Sequence, residues 1–356
     1  MLQKYGGISR YYKQLTDGLL HDNDIKILLP VVRSKNYYFE DYCKPNIKNL
    51  NRIDVFLNCV EFFRVYYMQI MTKGSINIIH PTYYYPEYLK LIPKFLRKKS
   101  LLIITVYDLI CELFYSDLEP VNKRKNTILK ADGIITISEN TKKDLLNVYS
   151  DLDETSVEVI HLGIDINAYK RFDKVNIPNK YILFVGRRDR YKNGERYIRA
   201  IGEVARHFSD VSFVFVGGDD FNEEEKKLLV EENILNKVVQ LNVSDDQLNY
   251  IYQNAYCFVF PSLYEGFGIP ILEAYACHCP VILSNNSCFP EIARDAALYF
   301  CGESVRDIAD KIITLLNDDF LRNDLIRRGD ERVKDFSLEK MVNETICFYK
   351  KILKRI

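Results

Sequence analysis

The sequence predicts an α/β protein built from two doubly wound parallel sheets. Two observations carry that expectation. Short apolar runs alternate with amphipathic stretches along the whole chain, the pattern of strands that alternate with covering helices. The chain also has 356 residues, more than one hydrophobic core normally organises. Between the two sets of strands, Asn167–Lys180 carries Pro178, polar residues and little periodicity, and reads as a linker.

The first set of expected strands is Ile25–Pro30, Ile76–His80, Leu101–Asp108, Gly133–Ser138 and Val157–Leu162, within a domain 1–166. The second is Tyr181–Val185, Val211–Val216, Val238–Leu241, Cys257–Phe260, Val281–Ser284 and Ala297–Phe300, within a domain 181–335. In doubly wound sheets ligands bind beyond the carboxyl ends of the strands, so a cleft between two such domains is the expected site. No internal repeat or low-complexity segment interrupts the pattern.

Bulk properties exclude several classes. A formal net charge of zero leaves no global attraction for nucleic acid. No apolar run reaches bilayer length, and no signal-peptide pattern opens the chain, so a cytoplasmic protein is expected. Nine cysteines, scattered in apolar context without disulfide spacing, fit a reducing compartment. Cys277-His278-Cys279 with Cys288 nearby suggests a metal site on paper, but Cys277 and Cys279 flank a strand entry and read as small core residues.

The richest stretch is Pro261-Ser262-Leu263-Tyr264-Glu265-Gly266-Phe267-Gly268-Ile269-Pro270-Ile271-Leu272-Glu273. Pro261 ends a buried strand, Gly266 and Gly268 allow a tight bend, and Pro270 suits the first position of a helix. Free N–H groups at that helix start, near Ile269 and Ile271, make an anion site. The flanking carboxylates accept hydrogen bonds from sugar hydroxyls. Phosphate beside polyol is the chemistry of a nucleotide sugar.

Two glutamates separated by seven residues, with Gly-Phe-Gly-Ile-Pro between them, resemble the donor motif of glycosyltransferase family 4, the glycosyl transferases group 1. The resemblance implies a GT-B fold: two Rossmann-like domains facing a cleft, with a C-terminal helix, here 336–356, crossing back to the first. It implies a retaining enzyme in which Glu265 holds the hexose hydroxyls and Glu273 the ribose, with Gly266, Phe267, Gly268 and Ile269 lining the donor. Gly186-Arg187 and Lys192 match the family's diphosphate-binding loop, whose cations replace a metal, so no cofactor is expected. Gly217 and Gly218 permit close approach of a nucleotide, and Asn242 falls in the base-binding turn. There Ser244 and Gln247 also read as a capping box.

In the first domain Gly6-Gly7-Ile8-Ser9-Arg10 resembles the family's glycine-rich loop at the donor phosphates. The family's Thr-Val-His-Asp appears as Thr105-Val106-Tyr107-Asp108, acceptor-side residues in which a phenol replaces the imidazole and any titration near neutrality is lost. Ser138 reads as a helix cap and His161 as a packing residue. Met1–Tyr5 is too short and polar for the first strand that precedes the glycine loop in relatives. A gap in the sheet, a truncated start or a substitute segment is expected. The basic run Lys94, Arg97, Lys98 and Lys99 mixes cations with apolar groups, as peripheral membrane contacts do, though a solvated surface run has the same composition.

The resemblance therefore implies transfer of a hexose from a nucleotide diphosphate sugar to a glycan or lipid-linked acceptor in polysaccharide biosynthesis. Relatives with similar stretches favour mannose from GDP-mannose. A glycoside hydrolase also needs two carboxylates, but flanking the scissile bond from opposite sides. An inactive nucleotide-sugar-binding or scaffold protein is the remaining alternative, raised by Tyr107 and the absent first strand.

Overall fold

The computed structural model describes residues 7–22, 77–81, 100–114 and 119–355. Gly6, Met1–Tyr5, the expected strand Ile25–Pro30 and the basic run Lys94, Arg97, Lys98 and Lys99 lie outside the described residues. The chain divides into two units, Met1–Gly163 with Leu338–Ile356, and Ile164–Ser337.

Among the described residues the first unit carries a four-stranded parallel sheet in the order β1-β2-β3-β4. Its strands are Ile78–Ile79 (β1), Leu101–Val106 (β2), Gly133–Thr136 (β3) and Val157–Val159 (β4). Each is shorter than the expected run. Gly7 opens a helix, Gly7–Leu19, that buries Tyr11, Tyr12, Leu15 and Leu19 on one stripe. The last helix, Leu338–Leu353, returns to this unit. A Cβ on Gly18 would stand 2.3 Å from Val342, and one on Gly133 would stand 3.0 Å from Phe348, so both glycines are contact points for that helix.

The second unit has a six-stranded parallel sheet in the order β10-β9-β8-β5-β6-β7. The strands are Tyr181–Val185 (β5), Ser212–Val216 (β6), Val238–Leu241 (β7), Cys257–Phe260 (β8), Val281–Ser284 (β9) and Ala297–Phe300 (β10). Near-continuous apolar runs such as Tyr-Ile-Leu-Phe-Val suit strands covered by helices on both faces. The core includes Phe184, Tyr197 and Phe215, whose rings lie 5.2–5.6 Å apart.

The stretch read as a linker is part of this second unit. Ile166–Lys170 forms a 3-10 helix with Tyr169 buried. Asn249 Nδ2 donates to the carbonyls of Ala168 and Arg171, and Asp173 N–H to that of Asp246. One buried aromatic ring and these bonds outweigh the polar composition that suggested a free segment.

In the first unit His80 sits at the end of β1 with Nδ1 2.6 Å from Tyr349 Oη and Nε2 2.9 Å from Thr105 Oγ1. The rings of Tyr12 and Tyr349 pack edge-on against it at 5.4 and 5.8 Å. Burial pushes its pKa down from 6.5 to about 3. The unfolded chain binds a proton in that window and the folded ring does not, so stability rises with pH between those two values and is lost as pH falls through them. Calorimetric melting should show a midpoint that drops from about pH 7 to about pH 4, with a shallower drop in His80→Asn.

Candidate active site

The strand order turns round where β5 neighbours β8, a topological switch point, and loops leaving the carboxyl ends of these strands make a crevice there. Gly186 follows β5 with φ 117°, and a Cβ on it would meet nothing within 4 Å, so open space borders the bare backbone. Gly217 follows β6, and its carbonyl accepts from Gln240 Nε2 at 2.9 Å. A Cβ on Gly218 would crowd the carbonyl of Gly186 at 3.1 Å.

The two arginines after Gly186 part company. Arg187, with 70% of its side chain exposed, pairs with Asp189 at 3.1 Å. Arg188 is buried, ion-paired to Glu225 at 2.8 Å, donating to Asp219 O and Gln240 Oε1 and stacked 4.3 Å from the ring centre of Phe221. The expected cation Arg187 is therefore not joined by any contact to Lys192. Its neighbour Arg188 holds the loop.

Lys192 ends a 3-10 turn, and its Nζ lies 2.6 Å from Glu265 Oε1, bringing together two of the three expected catalytic residues, Glu265, Arg187 and Lys192. Their side chains are 21% and 14% exposed. The ammonium also faces the rings of Tyr191 and Phe260 at 5.3 and 5.7 Å. Only one acceptor takes its three donors among the described residues, so the pair keeps hydrogen-bonding capacity for a ligand.

Asn193 fixes these loops. It adopts φ 63°, a left-handed conformation that Asn tolerates. Its Nδ2 donates to the carbonyls of Pro261 at 3.1 Å and Gly302 at 2.7 Å. Leu263 N–H donates to Tyr191 O at 2.7 Å. The loop after β8 then carries Glu265, whose N–H donates to Ser287 Oγ at 3.1 Å while its carbonyl accepts from that same hydroxyl. Phe267 is buried edge-on against Phe336.

Gly268, at φ 94°, caps the helix Ile269–Ala276, so Ile269 is the first helical residue and Pro270 the second, one place later than expected. Ile271 N–H is taken by Gly268 O at 2.9 Å, which removes it from the expected set of free amides. Glu273, half-buried in the second turn, accepts from Tyr169 Oη at 3.2 Å.

Asn242 is exposed after β7. Ser244 and Gln247 form the expected capping box. Ser138 caps the helix Glu139–Val148, and His161 is half-buried. In the first unit Gly7 opens its helix, Tyr107 is buried edge-on to Tyr11, and Asp108 accepts from Ile110 N–H at 3.0 Å as a helix cap. Cys277, Cys279 and Cys288 are buried thiols, their pKa values pushed up by desolvation. Among the described residues no group of three or more His, Cys, Asp or Glu is arranged to hold a metal ion. No helix there is long and apolar enough to cross a membrane.

Sequence reasoning missed Arg188, Ser287 and the role of Tyr169. The dipeptide Asn193-Gly194 was the readable signal of a left-handed turn.

Two parallel α/β units with this site define a GT-B protein. Anabaena HepE, solved with UDP, superposes with a TM-score of 0.73 over 98% of both chains at 14% identity, a likeness of fold alone. Residues 166–332, nearly all of the second unit, match the family described as glycosyl transferases group 1. O-antigen chain mannosyltransferase B of Escherichia coli is 44% identical over 108 residues, 30% of this chain and 28% of that protein. An uncharacterised glycosyltransferase of Methanocaldococcus jannaschii is 30% identical over 234 residues, 61% of this chain and 59% of that one. The matched stretches thus span less than two thirds of either relative.

Asn193→Ala removes the donor to two buried carbonyls and leaves at positive φ a residue without the carboxamide that lets Asn tolerate it. The expected cost is about 1–3 kcal/mol of unfolding free energy, read as a lower urea midpoint at unchanged m-value.

Proposed function

We propose that this chain is a retaining glycosyltransferase. It moves a hexose, with mannose from GDP-mannose favoured, to a glycan or lipid-linked acceptor of polysaccharide assembly. The observation that carries this is the Lys192–Glu265 pair, held on the loops after β5 and β8 at the switch point of the second sheet, with open space at the bare backbone of Gly186 after β5. A half-buried ammonium with spare donors suits a diphosphate, and a carboxylate with a spare oxygen suits sugar hydroxyls. The name of the Escherichia coli relative supports the choice of mannose.

On this reading the diphosphate draws Lys192 from Glu265, and Arg187, exposed on Asp189, swings in as the second cation. Glu273 takes the ribose hydroxyls beside Tyr169, and Gly186, Gly217 and Asn242 border the nucleotide. Gly268 and Ile269 present the helix start, with its partial positive charge, to the phosphates. The acceptor oxygen attacks the anomeric carbon from the face the leaving group departs. The bond from that carbon to the phosphate oxygen breaks, and the acceptor proton passes to the departing phosphate. Lys192 stabilises the charge that develops there. Tyr107 and Asp108 stand on the acceptor side, and the enzyme works as a peripheral protein at the cytoplasmic membrane face.

The test is transfer of labelled mannose from GDP-mannose to a polyprenyl-diphosphate-linked glycan. Lys192→Ala should lower turnover by about 10²–10³-fold, as loss of one oxyanion donor does, with the fold intact by circular dichroism. Arg187→Ala should lower it too, and near-parental rates in both variants would remove the diphosphate assignment. In the same assay turnover should persist in excess EDTA, because Lys and Arg supply the positive charge. Loss of turnover on chelation, restored by Mn²⁺, would overturn that part.

A further inference from the structure

We propose that Ser287 is a positioning residue for Glu265, a role that rests on the reading of Glu265 as the hexose-binding carboxylate. Ser287 stands in the loop between β9 and the short helix Phe289–Ala293, 22 positions from Glu265 in sequence. Its single hydroxyl grips both backbone polar groups of Glu265, accepting from the N–H at 3.1 Å and donating to the carbonyl. Cys288 Sγ approaches the same carbonyl at 3.3 Å. Glu265 is thereby held at both ends, its backbone by this loop and its carboxylate by Lys192 at 2.6 Å.

The backbone of Ser287 shows that this grip is imposed. It stands at φ 56°, in the left-handed region that residues with a Cβ adopt at a cost and that clusters at functional sites. The neighbouring β9 residue Ser284 sends its own hydroxyl to Ser262 O, so two serines of one strand–loop segment hold the Pro261–Glu265 loop. A carboxylate that must meet sugar hydroxyls within a few tenths of an ångström needs such backbone support.

The experiment compares Ser287→Ala and Ser287→Gly in the full chain, with Glu265→Gln as reference. Glycine accepts φ 56° freely, so any loss shared by both variants belongs to the hydroxyl rather than to strain. With GDP-mannose as donor, kcat should fall roughly tenfold in each, the weight of about one hydrogen bond in the transition state. The Kd for GDP should stay within about twofold of the parent, because Glu265 is not assigned to the nucleotide. A kcat near the parent's, or a Kd for GDP that rises in step with the loss of kcat, would overturn the proposal. A stability cycle decides it without turnover: if Ser287 positions Glu265, the melting losses of Ser287→Ala and Glu265→Gln do not add in the double variant. Additive losses would refute the positioning role. Parental turnover in Glu265→Gln would instead sink the assignment of Glu265 itself, and absence of turnover in the parent would sink the donor, each distinct from failure at Ser287.

Discussion

The carboxamide of Asn193 is the interaction on which the second unit's loops depend. It reaches from the end of the β5 loop to carbonyls at the ends of β8 and β10. Carbonyls at strand ends that find no partner in the sheet are costly when buried, and one side chain satisfies two of them. The same residue starts the helix Gly194–His207 by turning left-handed. The positions of Lys192, one residue before it, and of Pro261, four before Glu265, are therefore set together. Few alternative geometries remain for the pair at the centre of the site.

Two ion pairs in this unit show how burial separates support from function. Arg188 and Glu225 are 4% and 18% exposed, and Arg188 spends its donors on Glu225, Gln240 and Asp219 while its guanidinium lies over Phe221. Four of its five N–H donors are used inside the fold, which is how a buried charge limits its desolvation cost. Lys192 and Glu265 are closer still to each other, at 2.6 Å, but share one hydrogen bond. Their mutual attraction keeps both side chains ordered while leaving donors and an acceptor unspent. An Arg–carboxylate pair that spends nearly all its donors within the fold is a fastener, and a Lys–carboxylate pair that does not is available to a third party.

The sheets were legible in the sequence because their strands are short, almost uninterrupted apolar runs ended by glycine, proline or polar residues. Five of the six strands in the second unit keep the boundaries read from composition, and β6 starts one residue later, at Ser212. The Glu265–Glu273 bend was legible for the same local reason. What stayed hidden was settled by long-range contacts. Composition does not tell Arg187 from Arg188, yet the chain turning at Gly186 sends the second into Glu225 and leaves the first outside. Tyr169 looks like an isolated aromatic in a polar stretch until Glu273, 104 positions on, supplies its acceptor. Ser287 gave no local signal at all, since its partner is a backbone unit 22 positions away.

The connectivity has a physical consequence of its own. The second unit is a continuous stretch, Ile164–Ser337, whereas the first needs both Met1–Gly163 and Leu338–Ile356. The stretch can be inserted because its own ends meet: Ile164 N–H donates to Phe336 O at 2.9 Å, and Ile164 bridges Ser337. A contiguous unit has every segment of its core to hand once it is synthesised. The first cannot, because Gly18, Gly133 and His80 all take their contacts from the final helix, through Val342, Phe348 and Tyr349. Until that helix arrives, the apolar stripe of Gly7–Leu19 has no cover from it. The order of maturation follows from the topology, with the glutamate-bearing unit formed before the unit that precedes it in the sequence.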